Sequence, residues 1–239
     1  MNIANKTVLI TGASRGIGRA LIEEALRRGA KRVYAGTRGP FAHADTRVTP
    51  LMLDVTSAAD IQRAVASIDD LDVLVNNAGI APYDDLNDPD ILERTFAVNL
   101  FGVLNMTRAF LPLLKRSRGA VVNHLSIVAL AALPLIPAYS ISKAAALNLT
   151  QSLRALLAGD GVKVYGVLLG PVDTDMNRGF NIPKATTESA ARGIFEGLEH
   201  DEEDIFPDPT SQSLADGWRN GAAKALERQF AAFVPGEAA

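Results

Sequence analysis

Thr7-Val8-Leu9-Ile10-Thr11-Gly12-Ala13-Ser14-Arg15-Gly16-Ile17-Gly18 is the stretch on which the fold turns. Thr7 to Ile10 is a β-branched and aliphatic run without alternation, as expected of a strand covered on both faces of a parallel sheet. After it, Ile17, Ala20, Leu21, Ala25 and Leu26 recur on one side of a helix, and Gly29 supplies its stop. The order is strand, glycine turn, helix. Glycines in such a turn let the backbone approach a pyrophosphate, and the helix start offers free N–H groups and a positive dipole end to phosphates. The spacing is Gly-x-x-x-Gly-x-Gly rather than Gly-x-Gly-x-x-Gly, and a glycine turn alone could be mere tight packing. Its place between a strand and a helix favours a dinucleotide site.

Outward from this unit the same alternation continues. A second strand, Val33 to Gly36, ends at Thr37-Arg38, where an NAD-binding unit would carry an acid for the ribose 2′-hydroxyl. The first carboxylate is instead Asp45. Arg15 and Arg38 could converge on a 2′-phosphate, whose geometry suits guanidinium groups, so NADP is the expected cofactor. Two solvated surface arginines are the alternative. Between Gly39 and Pro50 there is little room for a crossover helix. Leu51 to Leu53 reads as a third strand ending at Asp54, Thr56 to Ile68 as a helix capped by Thr56 or Ser57, and Leu71 to Val75 as a fourth strand closed by Asn76-Asn77-Ala78-Gly79.

Asp88-Pro89 opens a helical pattern running to about Lys115, with Asn99 inside it. Ala120 to Leu125 is a fifth strand ending at Ser126, Lys163 to Leu169 a sixth, Thr187 to His200 a helix, and Ile205-Phe206 a brief last strand. One final helix would place Leu214, Trp218, Ala222, Ala225, Leu226, Phe230 and Phe233 along a stripe docked on its own domain. The expected class is α/β: a single doubly wound Rossmann domain over residues 1–239, mostly parallel, with helices on both faces and a helical extension at 206–239. Ligands would lie at the carboxyl ends of the strands.

Composition narrows the function. At 239 residues, 48% hydrophobic and 21% charged, the chain resembles an ordinary soluble domain. A net charge of −3 gives no electrostatic case for nucleic acid or an anionic membrane. With no cysteine, disulfides, thiolate nucleophiles and Cys-ligated metals are excluded. The N-terminus lacks the apolar core of a secretory signal, and Ile127 to Ala138 is too short and proline-broken for a membrane helix, so a cytoplasmic location is expected.

Tyr139-Ser-Ile-Ser-Lys143 sits where Pro137 gives way to helix formers, and residues four apart share one helix face. A phenol of ordinary pKa near ~10 is a slow proton donor, and a fixed ammonium nearby would favour the phenolate. Such a tyrosine could protonate a carbonyl oxygen while hydride reaches the carbon. Any partly exposed helical Tyr and Lys would match, so the pair does not decide alone.

Taken together, Thr11-Gly12-x-x-x-Gly16-x-Gly18, Asn76-Asn77-Ala78-Gly79, Asn99, Ser126, Tyr139-x-x-x-Lys143 and Gly170-Pro171-Val172-Asp173-Thr174 resemble the short-chain dehydrogenase/reductase family from about Lys6 to Met176. The resemblance implies a tetrad. Tyr139 would be the acid in reduction and the base in oxidation, and Ser126 would bind the substrate oxygen. Lys143 would hold the nicotinamide ribose and lower the tyrosine pKa, while Asn99 would keep a water and the lysine in a proton relay. Gly12, Arg15, Gly16, Ile17 and Gly18 would line the phosphates and Arg38 the 2′-phosphate. Asp54 and Val55 would meet the adenine, Asn76, Ala78 and Gly79 the ribose and sheet edge, and Val172 and Thr174 the carboxamide; Asn77 reads as structural.

The family's usual proline before Gly170 is Leu169 here, and its usual serine before Ser126 is Leu125. His124 reads as a core or supporting histidine. Met176, Phe180 and Ile182 are expected to close an apolar pocket with Ile127, Val128 and Leu133. The implied activity is an NADPH-dependent carbonyl reductase or alcohol dehydrogenase acting on a small carbonyl or alcohol substrate, as a homodimer or homotetramer. The alternatives are an NAD-dependent dehydrogenase and a non-catalytic, dinucleotide-binding redox sensor.

Overall fold

In the computed structural model, residues 1–234 are described; residues 235–239 of the expected extension lie outside them. Seven parallel strands form one sheet: β1 (Thr7–Thr11), β2 (Arg32–Thr37), β3 (Val48–Met52), β4 (Val73–Asn76), β5 (Ala120–His124), β6 (Lys163–Val167) and β7 (Asp204–Ile205), in the order β3-β2-β1-β4-β5-β6-β7. The order reverses at β1, and the crevice for a ligand opens there, outside the carboxyl ends of β1 and β4.

The unbroken apolar strands are explained by two cores. Val8, Ile10, Val33, Val75, Val122 and Val167 pack with α1 (Gly16–Arg27) and α6 (Thr187–Glu199) on one face. Leu9, Tyr34, Leu74, Val121 and Val164 pack on the other. That second face receives α2 (Ala58–Ala66), α4 (Val103–Ser117) and α5 (Pro137–Leu157), through Ile61, Met106, Phe110, Leu114 and Leu153. Successive strand residues thus face opposite layers, and both layers are dry.

Several boundaries differ from the sequence expectation. β3 begins at Val48 rather than Leu51 and carries Pro50, which an edge strand tolerates because its outer side has no ladder to supply. No helix joins β2 to β3, as the proline spacing predicts. The helix opening at Asp88 has the expected cap, the Asp88 carboxylate accepting from the Asp90 N–H, but is not continuous. α3 (Pro89–Phe96) passes into a π-helical turn, Ala97–Gly102, before α4. This apolar segment is long enough to cross a membrane, yet Met106, Phe110 and Leu114 are fully buried against the sheet, so it serves here as a core element.

The final helix is two: α7 (Pro209–Arg219) and α8 (Ala222–Phe230), broken at Asn220-Gly221. Of the apolar stripe only Trp218 packs on the domain, against Leu168 and Phe206, while Leu214, Leu226, Phe230 and Phe233 are exposed. Charge adds to that contact. Asp204, buried at the start of β7, accepts from Arg154 (2.7 Å) and from the Trp218 indole (2.7 Å) and lies 2.8 Å from the Lys224 ammonium. Glu227 pairs with Arg154 and Lys224 and accepts from Gln151. The Lys224 contacts are ionic rather than well-angled hydrogen bonds.

Candidate active site

The glycine turn is shaped by close backbone approach. Gly12 has φ +65°, and a Cβ there would stand 2.9 Å from the Ala78 Cα; a Cβ on Gly18 would stand 2.2 Å from the Gly12 carbonyl oxygen. Neither position can hold a side chain. Asn77 braces this packing by donating from Nδ2 to the carbonyls of Thr11 (2.8 Å) and Gly12 (3.1 Å). The Thr11 hydroxyl accepts from the backbone N–H groups of Asn77 and Ala78, both at 3.0 Å. Thr11, the first residue of the glycine motif, is the half of this brace for which the motif named no role. α1 then starts at Gly16 with no side-chain cap and no acid in its first turn. Its first N–H groups are left for an anion, which fits a dinucleotide pyrophosphate.

Across the crevice, Thr174 packs its methyl 3.3 Å from where a Gly16 Cβ would lie, so the segment after β6 closes on the glycine turn. Val172 is buried beneath it. Arg15 does not join Arg38 on the adenine side: it pairs with Asp175 at 3.0 Å, and Arg178 pairs with the same carboxylate. Arg38, the other arginine of the expected clasp, is exposed and makes no ion pair with any described residue. Asp54 spends its carboxylate on the N–H and hydroxyl of Thr56, while Val55 is buried against Gly102.

Asn76 is also corrected. Its side chain turns into the core and donates to Asn123 Oδ1 (2.9 Å), and Asn123 in turn donates from Nδ2 to Thr150 Oγ1 (3.0 Å). That polar ladder ties β4, β5 and α5 together, so only the Asn76 backbone can face a ribose. Buried amides find each other because a lone one would forfeit its water.

Three members of the expected tetrad converge at the end of β5. Ser126 follows the strand and caps a single turn of 3-10 helix, Ile127–Ala129. Its hydroxyl donates to the Leu169 carbonyl and accepts from the Val128 N–H, both at 3.3 Å, long enough to yield to a substrate oxygen. Tyr139 and Lys143 lie one turn apart at the start of α5, with the ammonium 5.6 Å from the ring centre of the tyrosine. Lys143 is buried and donates to the His124 carbonyl at 2.6 Å.

Asn99 stands beside them in the π-helical turn, but its amide clamps the Ile80 backbone at 2.9 and 3.0 Å and donates to Ser142 Oγ at 2.9 Å. A Cβ on Gly79 would lie 3.3 Å from Asn99 Oδ1 and 3.8 Å from Lys143 Nζ. The amide thus positions the loop over the lysine.

Burial sets the titration. It pushes the Tyr139 phenol up to about 12, with the Ser126 hydroxyl pulling the other way, and pushes Lys143 down to about 8. The expected lowering of the tyrosine by the lysine is not found, because desolvation dominates. The phenol is neutral and poised to donate.

Two features were not anticipated. The Asp84 carboxylate accepts from the Ala138 N–H at 3.2 Å, capping α5 from a remote loop where Ile136 offers no side-chain cap. Tyr83 stacks on Phe180 with ring centres 5.8 Å apart, joining the loops after β4 and β6. The closed apolar pocket is not formed, since Met176, Ile182 and Leu133 are exposed and make only an open rim.

Comparison with known proteins agrees with this geometry. A sequence profile of the family described as short chain dehydrogenase matches residues 6–184. 2-(S)-hydroxypropyl-CoM dehydrogenase 3 of Xanthobacter autotrophicus is 36% identical over 71% of this chain and 72% of its own. Sorbitol dehydrogenase of Cereibacter sphaeroides is 34% identical over 81% and 80%. Among solved structures, a short chain dehydrogenase from Burkholderia cenocepacia in complex with NADP superposes with a TM-score of 0.88 at 38% identity, covering 98% of this chain and 100% of that one. With the parallel sheet, the glycine turn and the serine, tyrosine and lysine grouped at one strand end, these matches establish that the chain belongs to the short-chain dehydrogenase family.

Proposed function

We propose that this protein is an NADPH-dependent oxidoreductase interconverting a ketone or aldehyde with the corresponding alcohol, with Tyr139 as the proton donor in reduction and acceptor in oxidation. The observation that carries this reading is the convergence of Ser126, a neutral Tyr139 and a buried Lys143 at the carboxyl end of β5. The nicotinamide, when bound, supplies or takes the hydride. Ser126 holds the carbonyl oxygen by exchanging its long internal bonds for one to substrate. Tyr139 delivers its proton to that oxygen as negative charge develops. Lys143, with two of its ammonium protons uncommitted to the His124 carbonyl, holds a ribose hydroxyl and stabilises the resulting phenolate. Asn99 keeps the Gly79-Ile80 backbone in place above the lysine.

The lack of a carboxylate at the end of β2 supports preference for the 2′-phosphate, with Arg38 there exposed and unpaired among the described residues. The NADP complex of the Burkholderia cenocepacia relative points the same way.

Titration with NADPH and NADH, followed by turnover with a panel of ketones and aldehydes at neutral pH, tests the reading. Tighter NADPH binding with turnover is expected. Tyr139→Phe should keep cofactor affinity and lose turnover by about 10²–10⁴-fold; near-normal turnover would refute the assigned role. Arg38→Asp should move preference toward NADH, and an unchanged ratio of affinities would undo the NADP assignment.

A further inference from the structure

His124 is the last residue of β5 and is 5% exposed, yet its Nε2 has no hydrogen-bond partner among the described residues. A buried ring nitrogen without a partner calls for one from outside the chain. Ser126 follows two residues later, and the His124 carbonyl is the acceptor that holds the Lys143 ammonium. Side chains alternate along a strand, and Val122 packs on the α1 and α6 face with Ile10, Val75, Val167 and Val172. The imidazole therefore lies on that face.

Strand order decides which end of a dinucleotide it meets. β2, which Arg38 follows, is separated from β5 by β1 and β4. At about 4.8 Å per strand this is roughly 14 Å. His124 is thus far from the adenine end and adjacent to the reacting groups.

Burial, assisted by the nearby Lys143 charge, pushes the imidazole down to about 3, so the ring is neutral at working pH. A neutral imidazole offers one donor and one acceptor. A nicotinamide carboxamide also offers both, from its NH2 and its oxygen, whereas an imidazolium would have lost its acceptor.

We propose that His124 is a cofactor-positioning residue whose ring hydrogen-bonds the nicotinamide carboxamide. This rests on the nicotinamide-dependent reading given above. The bond fixes the rotation of the nicotinamide ring over Ser126 and Tyr139, adding a side-chain partner to the Val172 and Thr174 groups expected at the carboxamide, since the Leu125 and Val172 side chains are apolar.

The full-length protein labelled with ¹⁵N provides the test. It has three histidines, His43, His124 and His200, and His124→Gln identifies the resonances of His124 by their disappearance. Saturating NADP⁺ should move the His124 ring ¹⁵N resonances, while the adenine half alone, adenosine 2′-phosphate 5′-diphosphate, should not. In binding assays His124→Val should weaken NADP⁺ about tenfold, the loss of one hydrogen bond, and leave the adenine half unaffected. His124→Gln, which keeps a donor and an acceptor, should recover most of that loss.

Resonances that stay put in an NADP⁺-saturated protein would overturn the proposal and assign the nitrogen to a bound water. So would an equal loss of both ligands in His124→Val, the mark of a purely structural histidine. If the unaltered protein bound the adenine half but gained nothing from a nicotinamide, the functional reading itself would fall, and the first titration separates that failure from the others.

Discussion

At one end of the segment 170–175, the glycine turn meets Thr174 and lets it approach because Gly16 carries no side chain; at the other, a buried carboxylate holds Gly170. Asp208 accepts from the Gly170 N–H at 2.8 Å while its other oxygen caps α7 through the Ser211 N–H at 3.0 Å. The two regions serve the same segment by opposite means. Around the turn, backbone packs on backbone with a threonine and an asparagine as braces. The C-terminal helices are held to β7 and α5 by buried ions, Arg154, Asp204, Lys224 and Glu227. Close packing demands particular small residues at fixed positions, whereas an ion network demands only that opposite charges meet somewhere in three dimensions.

The largest effect should come from the hub of the network. Asp204→Ala removes the more buried of the two carboxylates, Asp204 and Glu227, that Arg154 and Lys224 share, and should cost about 3–5 kcal/mol in urea denaturation. Cofactor affinity of the folded fraction should barely change, and a stability close to that of the parent would mean that apolar contacts dock the C-terminal helices after all.

Gly18→Ala reverses the pattern. Its methyl would collide with the Gly12 carbonyl, costing about 1–3 kcal/mol of stability by overpacking. It should cost at least about tenfold in dinucleotide affinity, equivalent to ~1.4 kcal/mol. Retained affinity would show that the turn can open without disturbing the phosphate site.

Acid separates the two regions more gently. Burial raises the Asp204 pKa, but Arg154 and Lys224 outweigh it and hold the carboxyl below its ordinary 3.8. A depressed carboxylate contributes stability that is present above 3.8 and lost as pH falls through the folded value. Hydrogen exchange followed as pH falls below 3.8 should show α7 and α8 loosening before the Gly12–Gly18 turn, which has no carboxylate of its own. Simultaneous loosening would deny the distinction.

Much of the site was legible because its demands are local. Gly12 and Gly18 announce a turn where a Cβ cannot fit, and Asp88-Pro89 announces a helix start that the structure confirms at the Asp90 N–H. Tyr139 and Lys143 meet because one helical turn separates them. The direction of the Asn76 side chain was not legible, since it depends on Asn123 and Thr150 from two other elements. Neither was the Asp84 cap of α5, supplied from 54 residues away. The stripe from Leu214 to Phe233 misled because helical periodicity registers apolar residues without knowing whether Asn220-Gly221 interrupts them or a network of charges has taken their place.

The amino-acid sequence by itself determined the alternating α/β order, the glycine turn, the serine, tyrosine and lysine spacing and the want of an acid after β2, because each depends on residues close together in the chain. Only the tertiary structure decided that Arg15 turns to Asp175, that Tyr139 is raised rather than lowered, and that His124 keeps an unpartnered nitrogen beside the lysine. Those outcomes depend on desolvation and on charges brought together from distant segments, and neither can be read from neighbours along a chain.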